Sequence, residues 1–356
     1  MTQLILAINP GSTSTKIAVF DGQNEIFTDT LRHSNEELEG YLYVVDQFDF
    51  RKNTIIDAIK KRGIALKDIK IVVGRGGLMR PISSGVYRVN DAMIEDLKGF
   101  RFGEHASNLG GLIAADLAKE IPGCEAYIAD PVVVDELEDI ARVTGHPLFK
   151  KISIFHALNQ KAVAKRFSQS QGKPYEELNL IVVHLGGGVS VGAHKGGKVV
   201  DVNNALNGEG PFSPERTGTV PALQLAELCF LGNYTFDQIR KIIAGAGGVV
   251  AHLGTNSFIE VQERVGKGDK EAKLIFDAFA YNIAKEIASK AVIFKGQVDS
   301  IILTGGIAYS KELTKDIEEM VSFIAPVTVI PGEDEMSALA MNGYGVLTGI
   351  EKVKEY

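Results

Sequence analysis

Leu180-Ile-Val-Val-His184-Leu-Gly-Gly-Gly188-Val-Ser-Val-Gly-Ala193 decides how this chain reads. A branched apolar run, a turn of glycines and a second apolar run predict two strands joined through a turn almost without side chains. Three consecutive glycines give up packing and backbone order, and the close approach of a ligand is the reading that best repays that loss. A second stretch has the same grammar: Leu4-Ile-Leu-Ala-Ile8, then Asn9-Pro-Gly-Ser-Thr-Ser-Thr-Lys16, then Ile17-Ala-Val-Phe20. A strand that turns back through glycine and hydroxyl residues presents several backbone N–H groups at once, which suits phosphate oxygens. Two such loops in matching contexts predict a duplicated fold that holds a nucleoside triphosphate. The Asn9–Lys16 loop is not the Gly-x-x-x-x-Gly-Lys-[Ser/Thr] type, because Lys16 leads into a strand rather than a helix.

The rest of the chain supports duplication. In the first half a third strand is expected at residues 25–31, a helix at 53–62 with Ile55, Ile56 and Ile59 on one face, and a buried strand at 69–73. Helices at 90–97 and 107–120 and a strand at 125–129 follow. The order then restarts, with a helix near 159–167 and strands at 180–184, 189–194 and 198–203. Helices at 220–231, 235–244 and 269–294 lead to a strand at 300–303, a helix at 310–323, a strand at 327–330 and a helix at 336–348. Each half is three hairpin-linked strands followed by alternating helices and strands, which makes the class α/β. The boundary falls near residues 150–153, in a turn, and the cleft between halves is the expected ligand site.

Composition narrows the function. The 356 residues are enough for two domains with a sizeable core. A net charge of −7 implies no basic face, so nucleic acid is not an expected partner. The two cysteines, Cys124 and Cys229, fit a reducing compartment and read as buried thiols; no Cys or His pair has zinc-ligand spacing. The start lacks the basic region of a signal peptide, and no run approaches the ~20 apolar residues of a membrane span. A cytoplasmic, soluble protein is expected.

Several residues have the chemistry to fill the site. Asn9 ends a strand and has an amide to offer, Ser12 and Thr13 offer hydroxyls and N–H groups, and Lys16 offers a charge. Gly186, Gly187 and Gly188 form the second loop. Thr304-Gly305-Gly306-Ile307 follows a buried strand, where a planar ring has room to lie on the backbone. Arg75, between Gly74 and Gly76-Gly77, and Arg216, in Pro214-Glu-Arg-Thr-Gly218, are loop guanidiniums suited to carboxylate or phosphate. For Arg216 a salt bridge to Glu215 is the structural alternative. Asp130 precedes Pro131, which is expected to leave it extended and able to project as a magnesium ligand; a turn cap explains it equally well. Glu333-Asp-Glu335 precedes the last helix and reads as capping. Of the histidines, His184 gains most from its position; His156, His105 and His252 read by default as structural.

Taken in order, Asn9-Pro-Gly-Ser-Thr-Ser-Thr-Lys16, Gly74-Arg-Gly-Gly77, His105-Ala-Ser-Asn108, Ala129-Asp-Pro131, Phe155-His156, His184-Leu-Gly-Gly-Gly188, Pro214-Glu-Arg-Thr-Gly218, Thr304-Gly-Gly-Ile307 and Glu333-Asp-Glu335 resemble the acetate, propionate and butyrate kinase group. That group belongs to the superfamily of acetate and sugar kinases, heat-shock ATPases and actin. The resemblance implies duplicated actin-like, ribonuclease H-like domains, each a mixed five-stranded sheet flanked by helices, with an interdomain cleft. It implies residues 1–152 plus 336–356 as the carboxylate domain and 153–335 as the nucleotide domain. It implies reversible phosphorylation of a carboxylate with ATP and Mg2+. The first loop and the His184 loop would hold phosphates, and Gly305, Gly306 and Ile307 would lie at the adenosine. Arg75 and Arg216 would flank the carboxylate and the migrating phosphoryl group, with Asn9 on the substrate side. Asp130 and Glu335 would organise magnesium, which recasts Glu335 from a cap to a site residue, and His156 and His184 would lie near the transition state. It also implies a homo-oligomer.

One departure is informative. Acetate kinases commonly read His-Leu-Gly-Asn-Gly where this chain has Gly187, so no side-chain amide is available there. This, and the different motif before Arg216, favour the butyrate branch. Two other readings fit the same fold: a sugar kinase, with Asp130 as the base that takes a hydroxyl proton, and an actin-like or chaperone-type ATPase.

Overall fold

The computed structural model describes residues 3–99 and 101–356. The chain forms two compact units, one made of residues up to Val134 together with Asp334–Tyr356, the other of Asp135–Glu333.

In the first unit β1 (Leu4–Pro10), β2 (Ser14–Asp21) and β3 (Asn24–Arg32) form an antiparallel meander, and β4 (Ile69–Arg75) pairs in parallel with β1. β5 (Val86–Arg88) and β6 (Glu125–Ala129) continue the sheet, and the chain's last strand, Val353–Lys354, closes its far edge. β1 and β4 are apolar almost throughout and buried along nearly their whole length, as strands covered on both faces must be. The helix Phe48–Lys61 buries Ile55, Ala58 and Ile59, while Asn108–Glu120 is buried along nearly its whole length. That second helix reaches the sheet because Gly110 meets β4 at Gly74: a Cβ at Gly74 would lie 2.1 Å from the Gly110 carbonyl oxygen. The helix Glu335–Thr348 returns to this unit, with Gly343 against Ile5, Ile71 and Val73.

The second unit repeats the plan. β7 (Leu180–Leu185), β8 (Val189–Lys195) and β9 (Lys198–Val202) form the meander, β10 (Ser300–Gly305) runs parallel to β7, and β11 (Val327–Pro331) runs parallel to β10. The helix Lys270–Ala291 starts at Asp269, whose carboxylate accepts from Glu271 and Ala272 N–H, a favoured N-cap. It buries Ile275, Phe279, Ile283 and Ile287 at spacings of four, with Phe276 three before Phe279. Each such side chain contributes about 1.5–3 kcal/mol on burial.

The strand orders β3-β2-β1-β4-β6 and β9-β8-β7-β10-β11 are the same five-stranded mixed motif twice. The first unit carries two strands beyond the expected five; β5 and Val353–Lys354 are three and two residues long, too short to show alternation in sequence. The helices Val249–Leu253 and Phe258–Gly266 were also absent from the sequence reading. The first division falls at 134/135 rather than 152/153. Residues from 135 on are tied to the second unit: Glu138 N–H donates to Val200 O, and the Glu136 carboxylate accepts from Val199 N–H and from Lys161 Nζ. At the other end Glu335 belongs to the first unit, because the helix it opens packs there. The cysteines are not buried as expected: Cys124 is half-buried and Cys229 exposed. Among the described residues no helix is long and apolar enough to cross a membrane.

Candidate active site

The first loop is moulded from beneath by a residue the sequence reading passed over. Arg51 is completely buried, and its guanidinium donates to the carbonyls of Gly11 (2.7 Å), Ser12 (2.9 Å) and Ser14 (3.0 Å). Its other partners are Gln47 Oε1 and Thr15 Oγ1, so every partner is neutral. Burial without a carboxylate pushes Arg51 down to about 10. Thr13 O accepts from His33 N–H, so all four carbonyls from Gly11 to Ser14 are engaged. The exposed rim is left to Ser12 and Thr13, with a positive charge below it. His33 lies under the same loop, its Nε2 2.9 Å from Thr15 Oγ1 and its Nδ1 without a hydrogen bond. Burial first, and then Arg51, hold its pKa below the usual value.

Asn9, Lys16, Arg75 and Glu335 gather at the ends of adjacent strands. Lys16 on β2 is the cross-strand partner of Asn9 on β1, so the two share a face. Arg75 ends β4 beside β1, and its Nη1 donates to Glu335 Oε2 (2.9 Å) and Asn9 Oδ1 (3.2 Å). The Asn9 amide nitrogen donates to the same Glu335 oxygen. Arg75 Nε and Nη2 make no hydrogen bond among the described residues. The glycines beside Arg75 serve packing: a Cβ at Gly76 would lie 2.6 Å from Pro131 Cβ, and one at Gly77 2.1 Å from Asn108 Oδ1.

Asp130 departs from the expected conformation. Its φ is +39°, so it is not extended. The proline after it disfavours the right-handed helical region, and aspartate tolerates the left-handed one better than most residues. There its Oδ1 accepts from Ser84 Oγ (2.6 Å) and Gly85 N–H (2.8 Å), and its own N–H donates to Gly85 O. It pins the turn before β5.

In the second unit the rings of His156 and His184 stack at 3.7 Å, 9° from parallel. His184, at the end of β7, has Nδ1 2.9 Å from Asn159 Oδ1 and Nε2 3.0 Å from Glu333 Oε1. Asn159 lies three residues after His156, where the helix Ala157–Gln171 begins; that spacing was the available signal for it. The expected acidic cap therefore divides: Glu333 meets His184, Asp334 caps the last helix through Ser337 N–H, and Glu335 meets Arg75.

The glycine loop owes two of its three glycines to neighbours within the protein. A Cβ at Gly186 would lie 2.9 Å from both His184 Nε2 and Glu333 Oε1; at Gly188 it would lie 2.0 Å from Arg216 Nη1. At Gly187 the nearest atom is 3.9 Å away. Arg216 Nη1 donates to Ala205 O, and burial lowers its pKa, opposed by Glu215. The expected alternative, an ion pair with Glu215, does not form; Glu215 accepts from Asn256 Nδ2 instead. At Gly305, φ is +92° and a Cβ would lie 2.3 Å from Leu185 O, so only glycine fits. Gly306 has open space around it, and Ile307 is half-buried against the core. His105 Nδ1 lies 2.8 Å from Ser107 Oγ and accepts from Ser107 N–H, just before the helix Asn108–Glu120.

Among the described residues no group of three His, Cys, Asp or Glu side chains is placed to hold a metal ion. Asp130 and Glu335 each keep one carboxylate oxygen outside the bonds above. That suits magnesium bound through one or two carboxylates, water and phosphate rather than a protein cage.

Residues 151–326 match the model of the acetokinase family. The chain is 56% identical to butyrate kinase 2 of Clostridium acetobutylicum over 352 residues, 99% of each chain. It is 54% identical to a probable butyrate kinase of Clostridium botulinum over the full length of both. In fold it is similar to the crystal structure of Porphyromonas gingivalis acetate kinase, with a TM-score of 0.78 at 18% identity, covering 97% of this chain and 100% of that one.

Proposed function

The chain belongs to the butyrate kinases of the acetokinase family, and from that premise we propose that it transfers a phosphoryl group reversibly between ATP and butyrate or a similar short or branched carboxylate. The observation that carries the reading is Arg75. Its Nη1 is held by Glu335 and Asn9, which fixes the guanidinium at the strand ends and leaves Nε and Nη2 for an anion.

A short carboxylic acid has a pKa of roughly 4–5 and is ionised at neutral pH. The nucleophile needs no general base. What it needs is to be brought against a second anion, so the work is positioning and charge stabilisation. Arg75, Asn9 and Lys16 bind the carboxylate and the migrating group. Ser12, Thr13 and the Gly186–Gly188 turn hold phosphates, with Arg51 as fixed charge beneath the first loop. Arg216 offsets developing charge, His156 donates a hydrogen bond at the transferring group with the His184 ring stacked against it, and Gly305, Gly306 and Ile307 line the adenosine. Bound through Asp130 and Glu335 with the nucleotide phosphates, Mg2+ would neutralise charge on them. The reading includes cytoplasmic self-association, supported by the helix Ala222–Phe230, which buries no residue and exposes Leu223 and Phe230.

Hydroxamate trapping with Mg-ATP across straight and branched acids, with glucose and glycerol as controls, tests the proposal. Acyl hydroxamate from butyrate-sized acids is expected. Turnover of the polyols in place of the acids would support the sugar-kinase reading instead.

A further inference from the structure

Behind His156 runs a chain of buried polar groups that the reaction as described does not use. Tyr175 Oη lies 2.6 Å from His194 Nδ1, and His194 Nε2 lies 3.0 Å from Gln160 Oε1. Gln160 Nε2 lies 3.1 Å from Ser190 O and 2.8 Å from Ser190 Oγ, and Ser190 Oγ lies 2.8 Å from His156 Nδ1. Gln160, Ser190 and His194 are each completely buried.

Donors and acceptors along this chain can be counted. Ser190 O is a carbonyl and only accepts, so the nitrogen of the Gln160 amide faces it and the amide oxygen faces His194. His194 Nε2 must then carry a hydrogen. Its burial, and Lys161 nearby, hold the His194 pKa well below the usual value, so the ring is neutral and Nδ1 accepts from the Tyr175 hydroxyl. The second Gln160 N–H donates to Ser190 Oγ. The Ser190 hydroxyl has one proton and, among the described contacts, one further neighbour, His156 Nδ1. In a site closed to water that proton goes to Nδ1, since a buried hydroxyl without an acceptor is costly.

We propose that Gln160, oriented by Ser190 O and His194, and Ser190 are positioning residues that fix His156 as the tautomer with its hydrogen on Nε2. Nε2 then carries the proton that the transfer site proposed above would offer to a phosphoryl oxygen, with no change of protonation during transfer. The kinetic consequence rests on the reading of His156 as part of the transfer site; the tautomer does not.

The test is long-range 1H–15N correlation on the uniformly 15N-labelled full-length protein at about pH 8, where an ordinary imidazole is neutral. The His156 signals are assigned by their loss in His156→Gln. In the unsubstituted protein Nε2 is expected at the protonated shift and Nδ1 at the unprotonated one. Ser190→Ala removes the donor and is expected to bring the two shifts toward a common average, with kcat reduced about tenfold, the scale of one proton-positioning contact, and the carboxylate KM within about twofold. Gln160→Glu replaces the donor to Ser190 by an acceptor and is expected to draw the hydrogen onto His156 Nδ1. Tyr175→Phe, which leaves the Gln160 amide anchored on Ser190 O, is expected to leave the tautomer unchanged. Nδ1 protonated in the unsubstituted protein, or an unchanged tautomer in Ser190→Ala, overturns the inference. Shifts that move as expected while kcat stays put uphold the tautomer lock and instead remove His156 from the transfer site.

Discussion

Arg75 places one NH2 group, Nη1, against a carboxylate and an amide oxygen, and that geometry sets what its loss does. Arg75→Ala removes the cation but leaves Asn9 bonded to Glu335, so the strand ends stay in place. We expect kcat/KM for butyrate to fall by about 10²–10³-fold, equivalent to ~3–4 kcal/mol, with nucleotide affinity within about twofold; steady-state kinetics and nucleotide titration check both. Unchanged butyrate kinetics would remove Arg75 from the site. Residue identity was legible in sequence where a side chain of distinctive chemistry sat in a turn beside glycine, as with Arg75 between Gly74 and Gly76 and Arg216 two residues before Gly218. Arg51 was not legible. It lies inside an amphipathic helix, where an arginine reads as solvated surface, and only the folded loop above it supplies the carbonyls that hold it.

At the scale of the loop, the three glycines of the second turn are not equivalent. Gly188→Ala drives a methyl group into the Arg216 guanidinium, which is the far end of a flexible side chain and gives way. The fold is therefore expected to survive, with Tm within a few degrees, while kcat falls by at least about tenfold as Arg216 leaves its place on Ala205 O. Gly187→Ala meets nothing closer than 3.9 Å and is expected to change stability by no more than about 0.5 kcal/mol. Thermal denaturation and initial rates on the two variants decide it; equal losses in both contradict the assignment. Sequence showed that the turn was crowded but not by what. The crowding at Gly186 and Gly188 comes from His184, Glu333 and Arg216, brought in from up to 147 positions away along the chain (333 − 186). The long strands and helices were legible from their periodicity. β5 and the short helix Val249–Leu253 were not, because three to five residues carry no period.

Across the whole molecule the duplication was written in the order of elements, since the same β-meander followed by parallel strands appears twice. The unit boundary was not, because the contacts that draw residues 135–152 into the second unit are long-range hydrogen bonds with no local signature. Burial holds His33 in the first unit and His194 in the second below the ordinary histidine pKa of 6.5. The unfolded chain takes up protons on both near that value, while the folded protein resists until lower pH. Their contribution to stability is complete above pH 6.5 and is lost as pH falls below it. The urea midpoint is expected to drop between about pH 7.5 and 5.5, and His194→Gln should flatten that slope; a midpoint that stays level or rises on acidification contradicts it.

The proposed reaction is direct transfer between two anions held by fixed charge, with no nucleophile of the protein taking the phosphoryl group. Turnover of ATP made chiral at its γ-phosphorus, with butyrate as acceptor, measures this in one experiment. Inversion of configuration at phosphorus is the predicted result, and retention would show that a phosphorylated enzyme intervenes.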